Sequence, residues 1–410
     1  MYQGNAFCVN VARKRHIGVV TAIYVYPIKS CQGVKLASSQ FSNYGLLYDR
    51  QWAIVSLDEK MNGGKDELLY VHNQYDNHPE LASIKIGLST NYLVLSHGSK
   101  GDNVIKVPLH TEINNARLKK DLIKCIVGPV QRTSSTQPAI DEGDEVAKWL
   151  TDILSTNTKF SNHKFRLVRA AAKIYRNLTT DIRYGLLYND KIEATHVGFA
   201  DTSQIHVINK SSLTRIDNDG MGNIDDIEKQ FRPNIVVSGF PANDEQFWNN
   251  IAISSTALNV NSITGDGKDD AVKTATRLRV CMPALRCRVI STHQSGVFAG
   301  MYDKTNTLLK KVRKTYPCML RKGCMFGVKL NQMLPLGNRT VQTGFFVHVT
   351  KRTNRSLLLP KNMREMRETL DQTYHFIFEG DFGIYTDLLY CMPSAGIICM
   401  LAISFYFILF

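Results

Sequence analysis

The sequence predicts a mainly β chain with some helix, an α+β fold in two domains that ends in a hydrophobic helix. Three observations predict it. Short apolar runs rich in Val, Ile, Tyr and Phe recur, each bounded by Gly, Asn, Asp or Pro clusters, as antiparallel strands and their turns are. One stretch, Asp144 to Leu154, changes to helical period. The last 23 residues, Leu388 to Phe410, carry no charge. The chain has 410 residues, 44% of them hydrophobic, enough for two domains with real cores and a tail.

Taken in order, Gly18 to Ile28 reads as a strand ending at Pro27, and shorter strands follow at Trp52–Ser56, Leu68–Val71, Ser83–Leu88 and Tyr92–Leu95. In the next segment Val146, Trp149, Leu150, Ile153 and Leu154 fall at i, i+3, i+4, i+7 and i+8, one face of a helix. Asp144 and Glu145 lie in its first turn, where the helix dipole favours acids. Strand character resumes at Phe165–Val168 and Ile205–Ile208, and Ser211 is placed to cap a short helix running toward Asp217. Asn234–Ser238, Phe326–Leu330 and Phe345–Val349 are the remaining strands, and the polar, Gly-rich stretch 261–270 is expected to be an exposed loop. Asp217-Asn218-Asp219-Gly220 lacks the full spacing of a calcium loop and reads as a turn. No internal repeat, Walker motif, G-x-G-x-x-G or G-x-S-x-G occurs.

Charge is placed unevenly. Residues 271–370 hold 20 Lys or Arg against 3 Asp or Glu, a local +17 in a chain whose total is +14. Such a block attracts an anion: a phosphorylated cofactor, an acidic protein or a membrane surface. No nucleic-acid module is visible, so nucleic acid ranks last. Nine cysteines are an odd number without a C-x-x-C pair. They read as reduced thiols of a reducing compartment, and the sequons at Asn177, Asn338 and Asn354 are then chance matches. The N-terminus, Met1 to His16, has neither a secretory apolar core nor a span. Leu388 to Phe410 would be roughly 34 Å long as a helix, which exceeds the roughly 30 Å bilayer core. Basic residues Lys351 to Arg367 precede it and none follow, so a membrane-associated protein with its folded domains on the cytosolic side is expected.

Arg279 to Thr292 carries the most suggestive chemistry. Cys287 stands between Arg286 and Arg288, and neighbouring guanidinium charge favours a thiolate, a soft metal ligand. The competing reading is a small apolar residue at the start of a buried strand.

Four segments resemble one family. Tyr26-Pro27-Ile28-Lys29-Ser30-Cys31-Gln32-Gly33, Asp49-Arg50-Gln51-Trp52, Asp201-Thr202-Ser203 and Phe231-Arg232-Pro233-Asn234-Ile235-Val236-Val237-Ser238-Gly239 resemble, in order and spacing, the motifs of proteins that join an N-terminal β-barrel domain to a MOSC domain. Within that family the amidoxime-reducing group is most similar. Arg286-Cys287 then stands where the family holds its molybdenum-binding cysteine. The resemblance covers roughly residues 17–350. It implies an N-terminal extension (1–16), an N-terminal β-barrel domain (17–140), a connecting helix (141–160), a MOSC β-barrel domain (161–350), a basic linker (351–385) and a candidate transmembrane tail (386–410).

The resemblance implies the molybdenum cofactor, Mo-molybdopterin, with Cys287 as metal ligand and catalytic centre. A pterin phosphate wants Lys, Arg, hydroxyls and backbone N–H groups. Lys29, Ser30, Arg50, Thr202, Ser203, Arg232 and Arg286 are those types, with Asn234 and Asp201 for the pterin edges. Arg50, beside Trp52, has stacking on it as its alternative role. The implied activity is reduction of small N-hydroxylated substrates with electrons from NADH through cytochrome b5 reductase and cytochrome b5, on the mitochondrial outer membrane or endoplasmic reticulum. A cofactor carrier is the alternative. A sulfur-transfer role like that of molybdenum cofactor sulfurase is the weaker one, since no pyridoxal-phosphate domain is visible. The chain departs from the family at Leu285, where a Ser is usual, and at Thr292-His293-Gln294-Ser295-Gly296 in place of an acidic turn.

Overall fold

The structure, a computed structural model, describes residues 17–57, 69–71, 79–101, 103–110, 122–127, 135–155, 163–171, 175–177, 196–217, 223–258, 274–286, 290, 308, 311–312, 324–333 and 339–352. Cys287, the 261–270 loop, the Asp217 turn beyond its first residue, the basic linker and the apolar tail lie outside them. Among the described residues no helix is long and apolar enough to cross a membrane.

Thirteen strands and three helices position the site. They begin with β1 (Ile17–Val25), β2 (Val34–Leu36), β3 (Trp52–Leu57), β4 (Leu69–Val71), β5 (Leu122–Val127) and β6 (Ser135–Asp141). Helix α1 (Asp144–Leu154) and strands β7 (Phe165–Ala170) and β8 (Ile205–Asn209) come next. Helices α2 (Lys210–Asp217) and α3 (Ile224–Gln230) lead to β9 (Ile235–Ser238), β10 (Trp248–Ser254), β11 (Thr276–Arg286), β12 (Cys324–Gln332) and β13 (Phe346–Arg352).

The small barrel closes in the order β5-β6-β7-β3-β4, with β4 parallel to β5. Closure removes the exposed edges that an open sheet would leave. Its inward residues Ala53, Val55, Cys125, Ala139 and Val168 are fully buried. α1 covers one side: Val146, Trp149, Leu150, Ile153 and Leu154 pack with Trp52, Ile54, Phe165 and Leu167. Burying each such side chain is worth about 1.5–3 kcal/mol, so the amphipathic period fixes this helix. Its N-cap is Gly143, at φ 107°.

The large sheet runs β9-β8-β12-β11-β10-β13-β1-β2, and a further β1–β9 pairing closes a ring. The two barrels do not follow the linear order of the chain. β1, at the N-terminal end, pairs β9 and β13 of the large barrel, while β7 pairs β3 and β6 of the small one. The polypeptide therefore leaves the large sheet after β2, enters the small barrel at β3 and returns to the large sheet at β8. The site forms at that crossing.

One sequence expectation is corrected locally. α2 begins at Lys210, one residue before Ser211, and its first turn is held by Asn209, whose Oδ1 accepts from Ser211 N at 3.3 Å. The described part of β11 ends at Arg286, and the apolar-strand reading of Cys287 falls outside the described residues.

Candidate functional site

Three loops meet between the barrels, stitched through their backbones. Arg50 N donates to Tyr26 O at 2.9 Å, Trp52 N to Pro27 O at 3.0 Å, Lys29 N to Trp52 O at 2.9 Å and Phe199 N to Arg50 O at 2.8 Å. These bonds fix where Lys29, Arg50 and Asp201 emerge.

Ser30, Arg50 and Arg232 hold left-handed backbone, at φ 69°, 48° and 52°; only Tyr48 and Asn243 join them among described non-glycine residues. That conformation costs roughly 1–2 kcal/mol for a residue with a Cβ. It persists where surrounding structure over-determines it, and it clusters at functional sites. Here the backbone bonds over-determine it: Arg232 N donates to Lys229 O at 3.0 Å, closing the end of α3.

The consequence is a ring held between two guanidinium groups. Arg50 Cζ lies 4.4 Å and Arg232 Cζ 4.3 Å from the Tyr26 ring centroid, and Tyr26 is 1% exposed. Gly33 makes room: a Cβ there would meet Tyr26 Cε1 at 2.4 Å. Arg50 thus stacks on Tyr26 instead of Trp52, whose ring is covered by Arg169 at 4.8 Å. Arg50 Nη1 also donates to Asp49 Oδ2 at 2.6 Å, and Arg50 Nη2 to Arg232 O at 3.3 Å. Arg232 Nη1 donates to Cys31 O at 2.7 Å. Burial lowers the Arg232 pKa, with Arg50 pushing the same way, yet a guanidinium stays charged in proteins.

Lys29 is buried, pairs with Asp201 and donates to Phe199 O at 3.2 Å. Asp201 points to solvent, its side chain 66% exposed. Thr202 is half-buried beside it. Ser203 Oγ donates to Ile205 O at 3.2 Å, where β8 begins. Arg286, at the end of β11, donates from Nη1 to Phe231 O at 2.9 Å and from Nε to Phe326 O at 3.3 Å.

Asn234 also has a structural job. Both side-chain polar atoms of Asn234 are engaged: Oδ1 accepts from His206 N at 3.1 Å and Nδ2 donates to Tyr24 O at 3.2 Å. Asn234 clamps β1 to β8 and keeps one N–H and one oxygen lone pair beyond these two bonds.

Tyr26, Asp49, His206 and Lys329 belong to the cluster without having been singled out as site residues. Tyr26 and Asp49 stand inside the quoted motifs. His206 and Lys329 carried a plainer signal, a basic residue inside the apolar strand runs Ile205–Ile208 and Phe326–Leu330. Burial lowers Lys329 to about 7, and Arg286 and Arg50 add to the effect. The donor set is therefore Lys29, Arg50, Arg232, Arg286 and Lys329 against the carboxylates of Asp49 and Asp201. Tyr26 Oη is buried with no hydrogen-bond partner among the described residues. Excess buried cation with a spare hydroxyl fits an anionic, oxygen-rich group such as a pterin phosphate. No group of three or more His, Cys, Asp or Glu side chains placed to hold a metal occurs among the described residues.

Comparison with known proteins accords with this geometry. The MOSC N-terminal beta barrel domain matches residues 17–157 and the MOSC domain residues 194–354. The chain is 28% identical to mitochondrial amidoxime reducing component 2 of Rattus norvegicus over 307 residues, 70% of this chain and 79% of that protein. It is 26% identical to the Homo sapiens protein of the same name, over 60% of this chain and 64% of that one. It is 25% identical to Homo sapiens molybdenum cofactor sulfurase, over 59% of this chain but only 25% of that longer protein. The mostly β architecture, the motif loops at the barrel crossing and both domain matches agree: the chain belongs to the MOSC-domain proteins, with an N-terminal MOSC β-barrel domain joined to a MOSC domain.

Proposed function

We propose that this protein is a molybdenum-cofactor-dependent oxidoreductase that reduces N-hydroxylated compounds such as amidoximes, hydroxylamines and N-oxides. The observation that carries the proposal is the cationic cradle at the barrel crossing, Lys29, Arg50, Arg232, Arg286 and Lys329, two of whose arginines are held in left-handed backbone. Similarity to amidoxime reducing components and to molybdenum cofactor sulfurase supports a cofactor-related role.

The bound cofactor would supply the redox chemistry that takes oxygen from N–OH. The chain's own residues bind and orient it. Lys29, Arg50 and Arg232 are assigned to the phosphate, each charge-assisted hydrogen bond worth about 1.5–3 kcal/mol. Arg50 and Asp49 hold each other, so a phosphate would share a guanidinium whose five donors are not all committed. Ser30, Thr202 and Ser203 are assigned hydroxyl or backbone contacts at its rim. Cys287 is assigned as the metal ligand and Arg286 as its neighbouring charge.

Electrons are proposed to arrive from NADH by way of cytochrome b5 reductase and cytochrome b5, whose acidic surface suits the basic block. The tail Leu388–Phe410 is proposed to anchor the protein in the mitochondrial outer membrane or endoplasmic reticulum. Benzamidoxime reduction by purified protein with cytochrome b5, its reductase and NADH tests the proposal. Benzamidine should form at a rate that depends on each component. Cofactor-loaded protein that forms none would favour the second reading, a cofactor carrier, which the sulfurase similarity supports.

A further inference from the structure

The strand register brings a second basic layer up to the cradle. β8 and β12 run antiparallel with His206 opposite Lys329, and Met282 of β11 opposes Lys329 from the other side. Directly opposed residues hold their Cβ atoms about 4.5–5.5 Å apart on one face. Gly327, two residues before Lys329, is at φ 76°, and a Cβ there would meet His206 Nε2 at 2.7 Å and Val207 O at 2.5 Å. The imidazole therefore packs on bare backbone of β12.

One tautomer satisfies His206, as assigned from its hydrogen bonds. Nδ1–H donates to Arg232 O at 3.3 Å, and Nε2 accepts from Arg286 Nη2. Burial, then the charges of Arg286 and Lys329, hold this imidazole well below its ordinary pKa. His206 is thus a neutral strut joining Arg232 to Arg286. Lys329 differs. It is half-buried, and its ammonium has no hydrogen bond or ion pair among the described residues. The charged groups acting on it are Arg286 of β11, Arg50 and Asp49 of the loop before β3 and Asp201 of the loop before β8, and the titratable imidazole of His206 faces it across the strand pair.

We propose that Lys329 is a further anion-binding residue of the cradle and that it takes up a proton together with the anion. The proposal rests on the cofactor reading above and adds a regulatory property to the same site, proton-coupled occupancy. Burial and two neighbouring guanidinium groups disfavour the charged form of Lys329 while the cradle holds no anion. A dianion among these groups would reverse the electrostatic part and return Lys329 toward the ordinary lysine value of about 10.4. Occupancy should then weaken as pH rises above about 7.

The test uses sulfate, which unlike phosphate does not titrate near neutrality. Full-length protein from a host unable to make molybdenum cofactor is titrated with sulfate at constant ionic strength, by calorimetry in two buffers of different ionisation enthalpy. Wild type should bind sulfate roughly tenfold more weakly at about pH 9 than at about pH 6 and should take up protons near pH 8. Lys329→Met should bind weakly at every pH without proton uptake. Lys329→Arg should bind without pH dependence, because its guanidinium is always charged; it also serves if the Met variant fails to fold. His206→Gln should keep the proton uptake, which assigns it to Lys329. Sulfate binding by wild type without proton exchange would overturn the role of Lys329 while leaving the cradle standing. Uptake that persists in both Lys329 variants would do the same. Wild type indifferent to sulfate would overturn the anion cradle itself.

Discussion

Arg50 and Arg232 each do three things at once: each accepts a strained backbone, covers a face of Tyr26 and hydrogen-bonds a carbonyl of another segment. A cation on an aromatic ring is worth up to about 2 kcal/mol when desolvated, so part of the cradle is rigid before any ligand arrives. Asn234 supports it differently, and Asn234→Ala should separate the two roles. Losing two buried hydrogen bonds and orphaning their partners should cost about 2–4 kcal/mol, seen as a lower urea midpoint, while cofactor content per folded molecule stays near wild type. A large loss of cofactor without loss of stability would place Asn234 in the ligand set. Cysteines allow a second separation. Cys281 is half-buried, its Sγ donates to Arg279 O at 3.4 Å, and burial raises its pKa. Cys281→Ala should be mild, whereas Cys287→Ala should keep much of the pterin and lose reduction of N-hydroxylated substrates. Wild-type turnover per bound molybdenum in Cys287→Ala would refute that ligand assignment. These residue roles were unevenly legible: motif letters marked Arg50 and Arg232, but only tertiary pairing reveals that Asn234 is a clamp and that Lys329 faces His206.

At the level of elements, α1 was legible to the residue because its apolar period survives burial unchanged, with Val146, Trp149, Leu150, Ile153 and Leu154 packed against the small barrel. The placement of β1 was not. Its partners lie far along the chain, as when Thr21 Oγ1 donates to Val236 O across 215 residues, and no local pattern encodes such pairing. Helix α3 escaped notice because a polar, seven-residue segment has little apolar period; its cap, Asn223 Oδ1 accepting from Asp225 N at 3.0 Å, was the available signal. The short helical turn Asp244–Phe247 gives a test at this scale. Glu245 is buried and accepts from Ser212 Oγ at 2.9 Å and Asn209 Nδ2 at 3.2 Å, tying the turn to α2 and β8. Burial pushes its carboxyl up to about 7. The folded state thus holds this proton more tightly than the unfolded chain, whose value is about 4.3. Its stabilising effect is complete below about pH 4.3 and is lost as pH rises through about 7. Glu245→Gln should therefore be near neutral at about pH 4.3 and stabilising by about 1–3 kcal/mol at about pH 8, as read by urea denaturation at both values. Equal effects at the two pH values would contradict the assignment.

Across the whole molecule, two barrels built from strands taken out of sequence order hold the motif loops at their crossing, while part of the basic block and the whole apolar tail lie outside the described residues. Deleting 386–410 should release the protein into the soluble fraction with its cofactor; retention through carbonate extraction would show another anchor. Electron transfer from cytochrome b5 should slow with salt, since screening shortens to about 8 Å at physiological ionic strength. Lys310→Glu with Lys311→Glu should slow it at low salt while sparing turnover with a small artificial reductant. The central claim is that the barrel crossing is a molybdenum-cofactor cradle, and its most direct test is the molybdenum and pterin content of purified full-length protein from a cofactor-producing host, beside Arg232→Ala. Wild type should carry molybdenum and pterin in equal, near-stoichiometric amounts and Arg232→Ala several-fold less of both; wild type with no more of either than Arg232→Ala would contradict the claim.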